Sequence, residues 1–194
     1  MPSCLFRRLL LVALLVTGFS ASVSGAEVAT NIVLRVHGEV ARPLAFTLAE
    51  LDALPHVKQS ARDHDGEEAS YEGVLLTELL QRAGVPLREN LRGPALRLGV
   101  LVKAADGYGA LFSLGELDAD MTDRWIFLAD AKAGGPLPAG QGPLRIIVPG
   151  EKRHARWVRQ VTELEVVRVG AAAALSPPAR TNSVPAGAGG PAKP

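Results

Sequence analysis

Cysteine is almost missing from this chain. Of 194 residues only Cys4 carries a thiol. The rest of the chain therefore has no disulfide, no thiolate metal ligand and no cysteine nucleophile. Charge of one sign is lacking too. Without Arg7 and Arg8 the balance is 19 Lys+Arg against 20 Asp+Glu, a net charge of −1. That leaves no electrostatic footprint for nucleic acid and no long-range pull toward an anionic membrane. Large aromatics are few, with two Trp and two Tyr. No Gly-x-Ser-x-Gly elbow, P-loop or His-Glu-x-x-His helix is present, so serine hydrolase, nucleotide hydrolase and zinc peptidase chemistry have no motif behind them.

What is present begins with Arg7 and Arg8, then the apolar run Leu9 to Val16, then small residues leading to Ser24-Gly25-Ala26. A charged start, a short apolar stretch and a small-residue cleavage point describe a secretory signal, residues 1–26. The run is well short of the ~20 residues that span a bilayer, although an uncleaved anchor is the competing reading. The expected location is periplasmic or secreted, with no stable membrane span after cleavage. A second stretch, residues 171–194, is Ala, Pro, Gly and Ser with almost no apolar bulk and reads as a disordered tail.

Between them, residues 27–170 form one α+β domain. A first strand is expected over Ile32 to His37. Thr47 with Glu50 makes a capping box for a short helix that Pro55 ends. "HVKQSARD" reads as a strand, and "HDGEEASYEG" as a polar segment with a hairpin signal at Asp65-Gly66. "VLLTELLQRAG" has helical spacing and ends on Gly84. Two strands meet at Asp106-Gly107, and Ser113 with Glu116 caps another short helix. "RWIFLAD", "LRIIVP" and "ELEVVRVG" complete the strands, with "KAGGPLPAGQG" as a loop.

The collinear series "VHGEVARPLAFTLAELDALP", "YEGVLLTELLQRAGV", "VKAADGYGALFSLGEL", "IFLAD" and "GPLRIIVPGEKRHARWVRQVTELEVV" resembles the molybdopterin-binding domain of the sulfite oxidase family. The likeness runs from about Val33 to Val169 and is nearest to small, single-domain, exported members. It implies short helices around a mostly antiparallel, partly barrel-like sheet. It also implies a molybdopterin, whose molybdenum is held by the pterin dithiolene and by one cysteine on the segment before the Gly-Val-x-Leu helix. Here that segment is "HVKQSARDHDGEEASYEGVLL", without cysteine. Molybdenum favours a soft sulfur ligand, and the hydroxyls of Ser60 and Ser70 are far harder to deprotonate. The resemblance therefore implies a molybdopterin without thiolate-ligated molybdenum, and no metal ligand is assigned.

By the same resemblance, Arg156 and Arg159 stand near the cofactor phosphate, with Lys152, Arg153 and His154 adding positive field. A solvated loop is the competing reading of this basic stretch. Asp106 and Tyr108 are pocket lining or a plain turn, and Tyr108 and Tyr71 are expected as aromatic walls. The "RDHDGEE" segment, with Asp63, His64, Asp65, Glu67 and Glu68, reads as an exposed turn before a cation site. Trp125 and Trp157 are both expected in the core, with a ligand platform as the competing reading of Trp157.

The favoured function is an exported binding or accessory module for a small anionic ligand or a periplasmic protein partner, with no role on nucleic acid. The alternatives are a molybdopterin-dependent oxidoreductase with a non-cysteine metal ligand, and a metal-dependent or cofactor-independent enzyme using His64. The arginine pair in "FRRLLLVA" lacks the polar residue and the phenylalanine of a twin-arginine signal. That weighs against export of a chain already folded round its cofactor.

Overall fold

Alternating apolar positions set the strands. The computed structural model describes residues 31–170. In it Leu34 and Val36 point inward from one strand, and Val161, Leu164 and Val166 from another. The strands are β1 (Leu34–Gly38), β2 (Leu44–Phe46), β3 (His56–Arg62), β4 (Glu68–Leu75), β5 (Leu98–Ala104), β6 (Gly109–Ser113), β7 (Phe127–Lys132), β8 (Gly135–Pro136), β9 (Arg145–Ile147) and β10 (Val161–Arg168). The helices are α1 (Leu48–Asp52), α2 (Leu76–Arg82) and α3 (Leu114–Leu117).

Two five-stranded sheets result. The first runs β2-β1-β10-β5-β6, with β1 and β10 parallel and every other pair antiparallel. The second runs β3-β4-β7-β8, with β9 also on β7, all antiparallel. One contiguous core joins them, with Val100, Phe112 and Leu164 from the first sheet and Val74, Phe127 and Ile146 from the second. The apolar face of α2, Leu76, Leu79 and Leu80, packs into the same core. The expected α+β class and mostly antiparallel pairing hold. The partly barrel-like sheet becomes two open sheets, with no closed barrel.

Both expected capping boxes form: Thr47 and Glu50 bond reciprocally at α1, and Ser113 and Glu116 at α3. The hairpin signal is met as well, for Asp63 and Glu67 close the β3–β4 turn with Gly66 at φ +88. What the sequence reading missed is β4. Its polar residues face out while Tyr71, Gly73 and Val74 face in, and the segment's turn-rich composition masks that pattern. Helix α2 consequently begins at Leu76, later than its apolar spacing suggests. Among the described residues no helix is long and apolar enough to cross a membrane. The secretory-signal and tail readings lie outside the described residues.

Candidate functional site

A charged network lies under the second sheet. Arg145, the first residue of β9, is buried to 1% exposure and forks onto Asp63. Its Nη2 donates to Asp63 Oδ1 at 3.0 Å and its Nη1 to Asp63 Oδ2 at 3.2 Å. Lys132 Nζ donates to the same carboxylate at 2.7 Å and the Tyr71 hydroxyl at 2.6 Å. The His64 backbone N–H adds a bond of 2.8 Å. Burial alone would raise the Asp63 pKa. The bonds from Arg145, Lys132, Tyr71 and His64 outweigh it and hold the carboxyl far below the usual range. Burial, followed by the bond to Asp63, pushes the Tyr71 phenol up. Two cations face one carboxylate, so the network carries an excess positive charge. Arg145 Nε is also buried with no protein hydrogen-bond partner.

Above this network runs the basic segment. It leaves β9, crosses a short 3-10 turn at His154–Arg156, and enters β10. It is fastened at both sides. His154 Nε2 lies 2.8 Å from the Arg62 carbonyl, so Nε2 donates and Nδ1 is the acceptor of the neutral ring. The Tyr108 hydroxyl donates to the Ala155 carbonyl at 2.5 Å. Trp157 is buried beneath, its indole N–H on the Val148 carbonyl at 3.2 Å. His154 meets the Trp157 ring edge-on at 4.4 Å between centroids, and the Arg145 guanidinium lies 5.2 Å from that ring. A cavity of about 240 Å³ opens here, lined by Asp106, Tyr108, His154, Ala155, Trp157 and Arg159.

Four of the six residues expected at a cofactor site thus meet at one cavity: Asp106, Tyr108, His154 and Arg159. The Asp106 carboxylate accepts from the Tyr108 backbone N–H at 2.9 Å and so shapes the turn. Arg153 is exposed and does not line the cavity. Arg156 is turned elsewhere. Its Nη1 donates to Glu116 at 2.8 Å, its Nε and Nη2 donate to Glu151, and it stacks 4.7 Å from Phe112. Two carboxylates neutralise it, so Arg159 is the cavity's own cation. Tyr71 is fully buried in the network, away from the cavity wall where it was expected. Trp125 is 49% exposed, not in the core, whereas Trp157 is in the core as expected. In the "RDHDGEE" turn Asp63 points inward, and His64, Asp65, Glu67 and Glu68 are exposed. Sequence reasoning passed over Asp63, Lys132 and Arg145 as a group. An arginine inside the apolar run "LRIIVP" was the available signal, because a charge on a buried strand demands a partner.

The model of the oxidoreductase molybdopterin binding domain family matches residues 22–173. Among solved structures, the sulfane dehydrogenase SoxCD of Paracoccus pantotrophus superposes with a TM-score of 0.56 at 24% identity, over 71% of this chain and 38% of that one. This chain therefore spans well under half of that protein's length, and the likeness is one of fold. Curated proteins give no match.

The side chains at the cavity bear on the molybdopterin that this kinship implies. Arg159 offers donors to a phosphate, Tyr108 offers aromatic surface, and the network below is net positive. These fit the phosphate-bearing organic part. They do not fit a thiolate-held metal, because no cysteine lies among the described residues and Ser60 is exposed on β3 opposite Ser70.

Proposed function

We propose, since the chain belongs to the oxidoreductase molybdopterin binding domain family, that it is an exported module whose cavity holds a small phosphate-bearing or otherwise anionic ligand, without thiolate-ligated molybdenum. The observation that carries this reading is the convergence of Arg159, His154, Tyr108 and Trp157 on one cavity in a chain whose single cysteine is Cys4. Arg159 supplies a forked donor suited to phosphate oxygens. The excess charge of Arg145 and Lys132 over Asp63 favours an anion above them at short range. Tyr108, half exposed on the cavity wall, gives an aromatic surface for a ring. The protein's role is then binding, carriage or support of a periplasmic partner, and fold alone fixes none of these.

The test is elemental analysis of protein taken from the native exported fraction, with fluorescence of released oxidised pterin measured in parallel. Pterin or another anion with little molybdenum is expected. Near-stoichiometric molybdenum with pterin would overturn the reading and make an oxygen or nitrogen atom the metal ligand. Titration with inorganic phosphate and with a phosphorylated pterin, followed by Trp157 fluorescence in a Trp125→Phe background, then locates the site. Arg159→Gln is expected to weaken binding by about 10-fold or more, the worth of a charged hydrogen bond. Arg156→Gln is expected to leave affinity within about 2-fold, since Glu116 and Glu151 already occupy its donors.

A further inference from the structure

A second cavity, about 660 Å³, lies at the other end of β3 from the basic loop. His56 opens that strand and Arg62, which holds His154, closes it; six residue steps of strand separate them, about 20 Å. Three side chains on this cavity's wall, Asp52, His56 and Asp130, bring one ligand atom each to within 4.8 Å of one another. The geometry points to a binding site for a divalent first-row transition ion at Asp52, His56 and Asp130, with its open side on the cavity.

Three separate features build this cluster. The capped helix α1 ends on Asp52, and the Leu54-Pro55 turn brings His56 back beside it. Asp130 is the extra residue of a bulge, because Glu72 pairs with Ala131 while Gly73 pairs with Ala129. Bulges of this kind re-aim a side chain beside a site. The bulge depends on Gly73, where a Cβ would sit 2.1 Å from the Leu128 carbonyl oxygen.

The ring of His56 carries the argument. Its Nδ1 lies 2.7 Å from the Leu54 carbonyl and its Nε2 lies 2.8 Å from Asp130 Oδ2. Both partners only accept, and a neutral imidazole donates once. Nδ1–H donating to a backbone carbonyl is the arrangement that fixes a metal-binding histidine, with Nε2 turned to the ion. A divalent ion with neutral imidazole and two carboxylates is balanced. One nitrogen and two carboxylates suit zinc, whose three-ligand sites keep a fourth position open. Asp52 is the exposed member of the three.

Zinc titration by calorimetry on the full chain carrying Cys4→Ser, so that no thiol contributes, tests this site. One zinc per chain is expected. His56→Gln and Asp130→Asn should each weaken binding at least about 10-fold, while His64→Gln leaves it unchanged. Imidazole nitrogen NMR keeps the test independent of variant folding: zinc should shift His56 Nε2 while Nδ1 keeps its proton. The proposal is overturned if millimolar zinc does not bind, if His56→Gln binds as the parent does, or if His56 keeps protons on both nitrogens in zinc. Loss of phosphate binding at Arg159 would leave this result untouched, so the two sites stand or fall separately.

Discussion

Replacing Arg145 with methionine leaves the Asp63 carboxylate, 5% exposed, with Lys132, Tyr71 and the His64 backbone N–H to hold it. Breaking one side of a buried pair costs about 3–5 kcal/mol, whereas replacing both sides with neutral residues is often nearly free. Arg145→Met should therefore lower the unfolding free energy by about 3 kcal/mol or more, and Asp63→Asn with Arg145→Met should recover much of it. Urea unfolding checks both. The same carboxylate sets an acid dependence. Its pKa is depressed in the folded state, so its stabilisation is present above the unfolded value of about 3.9 and lost as pH falls below that. Below pH ~4 the parent should lose up to about 1.4 kcal/mol per pH unit from this group, and Asp63→Asn should lose less by that amount. Equal slopes in the two proteins would remove Asp63 from the account. This network was not legible in sequence order, since Asp63 lies 69 residues from Lys132 and 82 from Arg145. Trp125 was misread for the reverse reason: a large aromatic beside the apolar residues Ile126 and Phe127 looks like core, yet the strand begins only at Phe127.

Elements announced by local chemistry could be read directly. The capping boxes at Thr47 and Ser113 place two helix starts, because each satisfies backbone donors within four residues. The Asp106-Gly107 turn and the alternation of β10 were legible on the same local grounds. Strand β4 was not, since its shape depends on its neighbours. It pairs with β3 from Glu68 to Val74 and with β7 across the bulge, and the β7 pairing needs Gly73 bare. Gly73→Ala would press a Cβ to 2.1 Å from the Leu128 oxygen and 2.5 Å from the Ala129 Cα, both backbone atoms unable to turn aside. Overpacking of this kind costs about 1–3 kcal/mol and occasionally more. Gly73→Ala is expected at the upper end of that range in urea unfolding. It should also weaken zinc binding, because the bulge that presents Asp130 must shift. A stable variant with full zinc affinity would show that the bulge does not place Asp130.

The cavity loop joins what the two sheets would otherwise keep apart. It begins on β9 of the second sheet and ends on β10 of the first, with Ile146 N–H on the Val158 carbonyl and Val161 N–H on the Leu144 carbonyl. His154 fastens it to β3 and Tyr108 to the β5–β6 turn. Beneath it, Trp157 and Tyr71 pack edge-on at 5.9 Å, again one residue from the loop and one from the second sheet. A basic segment between two strands is thus a strap across the seam, and the same placement puts Arg159 and His154 at one cavity. A core that is contiguous through this seam predicts one cooperative unit. In a Trp125→Phe background, fluorescence reports Trp157 at the seam while far-ultraviolet circular dichroism reports both sheets. The two urea transitions should coincide in midpoint and slope. An earlier fluorescence transition would mean that the strap opens before the sheets melt. The cavity would then be a locally ordered feature, and Tyr108→Phe, which removes one of its fastenings, should widen the gap between the curves.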